Sequence, residues 1–187
     1  MVASITRGLD NTLVFALDQS TRLVGYSIWE HGDLVQFGSY EPKYEMTTDE
    51  RLYDIFKWLD NAVSTILKKK PNKEIKVLME DVYLQVSLGS GKKTFSNRDN
   101  NVLSFKVLSQ LQGAIILFCQ MRELEYEIIH HSDWKNTIGI KSTTKRNQKI
   151  EAMELIEEAF GEYADENEVD AICIGYAYTI EKNSSEN

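Results

Sequence analysis

The order of its apolar segments is the feature that most constrains how this chain can fold. Three segments of strand-like composition, 12–18, 23–29 and 33–40, follow one another directly, and His31-Gly32-Asp33 leaves room only for a tight turn. Beyond them strands alternate with helices: a helix from Thr47 or Thr48 to the lysines before Pro71, a strand at 75–79, a helix at 102–122, a strand at 127–130, and helices at 144–160 and 169–180. This order, β-β-β-α-β-α-β-α-α, predicts an α/β fold with a mixed five-stranded sheet flanked by helices.

Length and composition favour a single domain. The 187 residues, 42% of them hydrophobic, suffice for one well-packed core and are few for two, and no internal repeat or linker is visible. We therefore expect one domain over 1–187, with an ordered core at about 12–182 and a disordered polar tail from Asn183. The stretch 86–101, rich in Gly, Ser, Lys and Asn, predicts a mobile loop.

The chain is expected in the cytoplasm. We expect no apolar run of membrane-spanning length, and the first eleven residues lack the apolar core of a signal peptide. Cys119 and Cys173 lie in apolar, helix-like surroundings with no second cysteine nearby, which favours two reduced thiols in the core. No membrane partner is predicted.

The charge distribution leaves nucleic acid possible as a partner. A net charge of −8 argues against a generic nucleic-acid binder. The bases, however, concentrate in two segments, each of which could contact phosphates or could be ordinary solvated surface. One segment has no acid and holds Lys135, Lys141, Lys145, Arg146 and Lys149; the other holds Lys92, Lys93, Arg98 and Lys106, offset only by Asp99.

Three acids occupy notable places in the predicted order of elements. Asp18 ends the first strand, Glu80 follows the fourth, and Asp170 opens the last helix. Carboxylates gathered in this way repel one another unless a cation binds, and hard oxygen ligands suit Mg²⁺ or Mn²⁺. Two such ions roughly 4 Å apart can drive phosphodiester hydrolysis. Strand-end solvation or helix capping remains the alternative for these acids.

The segments around these acids resemble, in order, five motifs of the RuvC-like Holliday junction resolvases. The first has an acid, a short polar turn and a strand opening on glycine; the second has an aromatic residue three positions after its glutamate. The third is similar to the glycine-containing part of the family's dimer helix, and the fourth to its lysine-bearing stretch. The last matches phage-borne members in particular. The segments are 15–26 (FALDQSTRLVGY), 77–83 (VLMEDVY), 108–114 (LSQLQGA), 134–139 (WKNTIG) followed by Lys145, and 169–175 (VDAICIG).

The resemblance runs from about Leu13 to Tyr178. It implies an RNase H-like fold and a homodimeric endonuclease of the phage type. Such an enzyme nicks Holliday junctions and other branched DNA, such as forks, with two Mg²⁺ or Mn²⁺ ions per active site. It makes Asp18, Glu80 and Asp170 the catalytic metal ligands. Lys135 and Lys145 would face the scissile phosphate, with Lys145 catalytic, and Tyr83 would stack on a base near the crossover. The other expected DNA contacts are Lys92, Lys93, Arg98, Lys141, Arg146 and Lys149.

One position departs from the family pattern, which normally has a fourth acid where this chain has Asn167. Helical spacing places Glu166 and Asn167 on the same face as Asp170, so either could reach a metal there, whereas Glu168 should point away. Asn167 could also cap the helix. Three interpretations stay open: Glu166 compensates, the second metal is weak, or the chain is an inactivated Asp-to-Asn form.

Other residues suggest functions different from a nuclease. His130, His131 and Asp133 suggest a triad or zinc site, but they lack metal spacing and a nucleophile motif, so we expect strand-end histidines. The 18–21 segment (DQST) also resembles the first phosphate loop of sugar kinases, which need a second domain and a second phosphate motif; we therefore expect no nucleotide cofactor. A non-catalytic junction-binding protein and a ribonuclease H-type nuclease remain alternatives, and the long dimer-type helix favours the junction.

Overall fold

The computed structural model describes residues 11–83, 95–161 and 164–185, and of residues 95–101 it describes the backbone alone. The strands are β1 (Thr12–Asp18), β2 (Val24–Glu30), β3 (Asp33–Tyr40), β4 (Glu74–Glu80) and β5 (Glu125–Ile129). The helices are α1 (Thr48–Lys69), α2 (Phe95–Met121), α3 (His131–Thr137), α4 (Lys145–Phe160) and α5 (Glu166–Ser185).

The five strands form one mixed sheet in the order β3-β2-β1-β4-β5. The first three strands are antiparallel neighbours, joined between β2 and β3 by a turn in which His31 and Gly32 both have positive φ. Strands β4 and β5 run parallel to β1, because each returns through a crossover helix. The predicted fold class is confirmed.

The central strand β1 contributes side chains to two hydrophobic cores, because alternate side chains point to opposite faces of a strand. Leu13, Phe15 and Leu17 pack with α1 and α2 on one face of the sheet. Val14 and Ala16 pack on the other face with α3, α4 and α5. Burying a side chain the size of Leu or Phe stabilises the fold by about 1.5–3 kcal/mol, so covering both faces holds β1 firmly.

Helix α5 lies close against β2. A Cβ on Gly25 would overlap the backbone carbonyl of Asn167, so only glycine permits this approach. The hydroxyl of Ser27 donates to the carbonyl of Ala171 at 2.7 Å, and the Trp29 indole donates to the Ser27 oxygen at 2.9 Å. These contacts fix the first turns of α5 over the start of β2, which pairs with the end of β1.

Three sequence predictions about the elements were wrong. The short helix α3 was not predicted, since seven residues carry too little periodicity to distinguish a helix. Helix α2 begins at Phe95, so 95–101 of the expected loop is helical, while 84–94 lies outside the described residues. Helix α5 continues to Ser185 through the expected disordered tail, where the hydroxyls of Ser184 and Ser185 donate to carbonyls one turn earlier.

The expectation about membrane-spanning length also needs correction. Within the described part of the chain, one helical segment, Val102–Met121, is long and apolar enough to cross a membrane by length and composition alone. A core helix passes the same test, and Leu111, Ile115 and Phe118 of this segment are buried against the sheet. Both cysteines are free and buried, as predicted.

Candidate active site

Two of the three predicted acids meet at one edge of the sheet because their strands are parallel neighbours. Leu17 of β1 pairs with Met79 of β4, so the next residues, Asp18 and Glu80, emerge side by side. Helix α5 begins over β2 at the level of Gly25, which pairs with Asp18, and this places Asp170 near the same edge. The fold therefore gathers acids from β1, β4 and α5.

Their electrostatic coupling shows in the pKa values. Burial, followed by the charges of Asp170 and Glu80, raises the pKa of Asp18 to about 7, although Lys149 and Lys135 oppose the rise. Burial also raises the pKa of Asp170 to about 6, against the opposing effect of Lys149. Two carboxyl groups that resist ionisation together form a site whose charge a bound cation would relieve.

Glu80 is held from several elements. Its carboxylate accepts a hydrogen bond from the Trp134 indole of α3 at 3.1 Å. Its backbone carbonyl accepts from the side-chain amides of Gln19 at 2.5 Å and Gln112 at 3.1 Å. The end of β4 is thus tied to α2, to α3 and to the residue that follows Asp18.

A cleft of about 390 Å³ opens beside the acids, and both Glu80 and Asp170 line it. The cations on its wall are Lys135 from α3 and Lys145 and Lys149, which lie one turn apart on α4. The Lys135 ammonium donates to the Gln148 side chain at 3.3 Å and lies 5.0 Å from the centre of the Trp134 ring. The cleft combines an acidic floor with a basic wall; the other residues lining it are Tyr83, His131, Trp134, Thr143 and Gln148.

The remaining predicted DNA contacts are less central. Lys141 and Arg146 do not line the cleft; the backbone N–H of Lys141 donates to the Glu151 carboxylate, and Arg146 is exposed on α4. Lys92 and Lys93 lie outside the described residues, and Arg98 lies on α2 where only the backbone is described. Only three of the predicted basic residues therefore reach the cleft in the described structure.

Tyr83 is part of a cluster of three rings at the cleft, in which it stacks on His131 and His130 is tilted. Its ring lies 4.6 Å from that of His131 at an interplanar angle of 23°, and His130 lies 4.6 Å from His131. His130 also caps α3, with its Nδ1 accepting the Ser132 N–H. His130 thus directly follows β5, in the strand-end position expected of it, whereas His131 begins α3, which the sequence did not predict. No zinc-type cluster forms in the described part of the chain.

The polar residues at the start of α5 have different hydrogen-bond partners. The Asp165 carboxylate accepts the N–H groups of Asn167 and Glu168 at 2.9 Å, and the Glu168 carboxylate accepts the Asp165 N–H. This is a capping box. The cap is therefore Asp165 and not Asn167, and the carboxylate of Glu168 takes part in this cap. Glu166 forms an ion pair with Lys149 at 2.6 Å.

The carboxylates at this site suit a divalent cation, but they are not arranged around a single ion. Carboxylate oxygens in a buried, self-repelling group are ligands that Mg²⁺ and Mn²⁺ prefer. Yet among the described residues no three acidic, histidine or cysteine side chains are placed to hold one ion together. The predicted ligands Asp18, Glu80 and Asp170 are therefore not arranged around one ion in this structure, and the carboxylate of Glu80 accepts the Trp134 indole N–H.

Sequence reasoning missed several residues that shape this site: Trp134, Gln19, Gln112 and His131. Trp134 carried a usable signal, because a buried indole N–H needs an acceptor and the residue precedes a predicted phosphate-facing lysine. The two glutamines carried none, since only the folded chain brings them to the carbonyl of Glu80.

Comparisons with known proteins support the fold. No protein-family model matches the sequence, and no curated protein matches it. Among solved structures, the chain is similar to T. thermophilus RuvC in complex with a Holliday junction substrate, at 12% identity over 93% of this chain and 97% of that one, with a TM-score of 0.61. It is also similar to another structure of Thermus thermophilus RuvC, at 11% identity over 92% and 96%, with a TM-score of 0.62. The chain therefore has a RuvC-like fold over nearly its whole length.

Proposed function

Given a RuvC-like fold whose acids meet at one sheet edge, we propose that this chain is a divalent-metal-dependent endonuclease that nicks Holliday junctions and other branched DNA. The observation that carries the proposal is the coupling of Asp18, Glu80 and Asp170 beside a cleft lined by lysines. The solved RuvC bound to a Holliday junction supports this choice of substrate.

Asp18, Glu80 and Asp170 would hold Mg²⁺ or Mn²⁺, two ions per site. Bound there, the ions would supply an activated water and stabilise the leaving oxygen. Asn167 offers an uncharged oxygen, and Glu166 would have to leave Lys149 to take part. We therefore propose that the second ion binds more weakly than the first.

The basic wall of the cleft gives an acidic protein its means of holding DNA. Lys135, Lys145 and Lys149 would contact phosphates, while bare carboxylates on the same cleft would repel them. A divalent cation neutralises the acids and removes this conflict. DNA binding is therefore expected to strengthen when Mg²⁺, or Ca²⁺ as a substitute, is added.

An exposed apolar face on α2 supports a homodimer. Leu103, Leu117 and Met121 lie on one side of the helix and are exposed by 61%, 53% and 67%. On the same side, a Cβ at Gly113 would meet nothing within 4 Å, which permits close approach of another helix. We propose that this face pairs with its copy across a two-fold axis, since a two-fold protein supplies two matched cutters for a junction.

A panel of DNA substrates under Mg²⁺ titration tests the proposal. We expect paired nicks in a Holliday junction, slower nicking of a fork, and none in plain duplex. An RNA–DNA hybrid should also remain intact. Preferential cutting of the hybrid would instead assign a ribonuclease H-type activity and contradict the proposal.

The position of Asn167 favours one alternative, a junction-binding protein that has lost activity. Comparing the unaltered chain with Asn167→Asp separates the two functions. Asn61→Asp, at an exposed position of α1, is the matched control. The nuclease proposal expects the unaltered chain to nick junctions and Asn167→Asp to do so at lower Mg²⁺ concentration. If only Asn167→Asp nicks, the unaltered chain is a binding protein.

A further inference from the structure

The two oxygens of the Glu80 carboxylate have different surroundings. The indole N–H of Trp134 donates to Oε1 at 3.1 Å, and no hydrogen bond from the described residues reaches Oε2. The N–H hydrogen carries partial positive charge and therefore disfavours a cation at Oε1. Toward a metal ion, Glu80 thus offers one open oxygen and one that is already in use.

Both partners of this hydrogen bond are anchored. The side chain of Trp134 is 2% exposed and packs in the core that α3, α4 and α5 form on one face of the sheet. An indole N–H can only donate, and a buried donor that loses its acceptor is left unpaired at a cost in free energy. On the other side, Gln19 and Gln112 hold the backbone carbonyl of Glu80. The bond is therefore a fixed feature of the site.

The number of oxygens that Glu80 offers matters because divalent cations differ in what they require. Mg²⁺ takes single oxygens in a near-octahedral shell and keeps several waters, whereas the larger Ca²⁺ readily accepts both oxygens of one carboxylate. An ion bound to Oε2 alone leaves the hydrogen bond from Trp134 intact. An ion bound to both oxygens would have to share Oε1 with the N–H.

We propose that Trp134 is a positioning residue that restricts Glu80 to one oxygen for metal binding and so favours Mg²⁺ over Ca²⁺. The inference rests on the proposed function, which makes Glu80 a metal ligand. Residues that hydrogen-bond to a metal ligand commonly orient it and tune the affinity of the site. Ca²⁺ would still bind, but through fewer oxygens of the protein.

Metal binding to the protein without DNA tests this inference. The unfolding temperature is measured in titrations of MgCl₂ and of CaCl₂, because an ion that binds only the folded chain raises it. Alkaline pH keeps Asp18 ionised, since burial raises its pKa to about 7. The unaltered protein is expected to bind Mg²⁺ more tightly than Ca²⁺. Asp18→Asn should lose most of the rise with either ion, which would assign the ions to the acids.

Trp134→Phe removes the N–H and keeps an aromatic ring in the core. The preference for Mg²⁺ over Ca²⁺ should fall about tenfold, the lower end of what loss of such a partner costs. A general loss of stability would affect both titrations alike and leave this ratio unchanged. Trp29→Phe is the matched control, because Trp29 is 1% exposed in the same core and its indole donates to Ser27 instead.

A second replacement covers the case in which Trp134→Phe does not fold. Benzothienylalanine at position 134 has sulfur in place of the N–H and nearly the same shape as tryptophan. It should lower the preference for Mg²⁺ by the same factor.

The outcomes separate this inference from the proposed function. If neither ion stabilises the unaltered protein, or Asp18→Asn is stabilised equally, the proposed metal site fails and the inference fails with it. The inference alone is wrong if the ions bind through the acids without a preference for Mg²⁺. It is also wrong if Trp134→Phe keeps the full preference, or if Trp29→Phe loses as much of it.

Discussion

The carboxyl groups of Asp18 and Asp170 lie in an environment that disfavours their ionised form. Burial is the largest cause of the raised pKa of each, and the negative charge of Glu80 raises both further. Lys149 and Lys135 offset only part of this. The folded chain therefore holds acids in a place that disfavours their charge, a pattern more typical of a functional site than of a structural one.

The raised pKa of Asp18 predicts that the stability of the fold depends on pH. A raised pKa in the folded state means that the folded chain binds more protons than the unfolded chain between the ordinary value of 3.8 and about 7. In metal-free buffer the destabilising effect of Asp18 is therefore absent below pH 3.8, grows as the pH rises, and is complete above pH 7. Asp18→Asn should remove this part of the profile and stabilise the protein at pH 8 but not at pH 4.

Denaturant unfolding at both pH values measures the effect as a difference between the variant and the unaltered protein. Asp33→Asn, at the exposed start of β3, is the control and should change neither value. An Asp18→Asn effect that is equal at pH 4 and pH 8 would argue against the buried, coupled carboxyl.

The single aromatic ring of Tyr83 is proposed to recognise branched DNA by stacking on a base. Its stacking on His131 holds the ring at the cleft. Tyr83→Ala is expected to weaken junction binding about tenfold or more, through lost base stacking, with little change for plain duplex. Tyr83→Phe should retain junction affinity. Tyr53→Ala, at an exposed position of α1, is the control. Equal losses on both DNA forms, measured by fluorescence anisotropy, would return Tyr83 to a structural role.

Among the elements, α5 depends most on a close backbone approach. Its first turn lies over Gly25, where a side chain would overlap the carbonyl of Asn167. Any added atom must push the helix away from β2. Because Asp170 lies in the second turn of the same helix, this displacement would also move a proposed metal ligand away from Asp18.

Gly25→Ala is therefore expected to lower the free energy of unfolding by about 2 kcal/mol or more and to reduce nicking as well. Asn61→Ala, at an exposed position of α1 away from the proposed dimer face, is the control, because it adds no atom against a neighbouring element. That change should stabilise the helix by roughly 0.5 kcal/mol, since alanine is the better helix former. Urea titration of both variants gives the comparison, and an equal effect of the two changes would contradict the close approach.

The elements also show how far sequence reasoning reached. β1 and β3 were predicted at their observed bounds, and α1 and α4 to within a residue or two, because alternation, caps and the stop at Pro71 are local signals. The three acids were predicted for the same reason, as residues at element ends. The hydrogen bond from Trp134 to Glu80 and the unclosed arrangement of the carboxylates depend on contacts between distant segments, which no local pattern encodes.

At the scale of the whole molecule, the proposal needs two copies of the chain. Leu117→Glu would place a charge on the exposed apolar face of α2 and is expected to shift a dimer to monomers at micromolar concentration. Val35→Glu, half-exposed on β3, adds the same charge elsewhere and should leave the dimer intact. Sedimentation velocity distinguishes the two states. A monomeric unaltered chain that still makes paired cuts would contradict the dimer.

The central claim is that acids from β1, β4 and α5 form one metal-dependent cutting centre. Single-turnover nicking of a Holliday junction at saturating Mg²⁺, comparing the unaltered chain, Asp18→Asn and Asp33→Asn, tests it most directly. We predict that Asp18→Asn loses about three powers of ten in rate or more while still binding the junction in Ca²⁺, and that Asp33→Asn remains fully active. An Asp18→Asn protein that nicks within about tenfold of the unaltered rate would contradict the account.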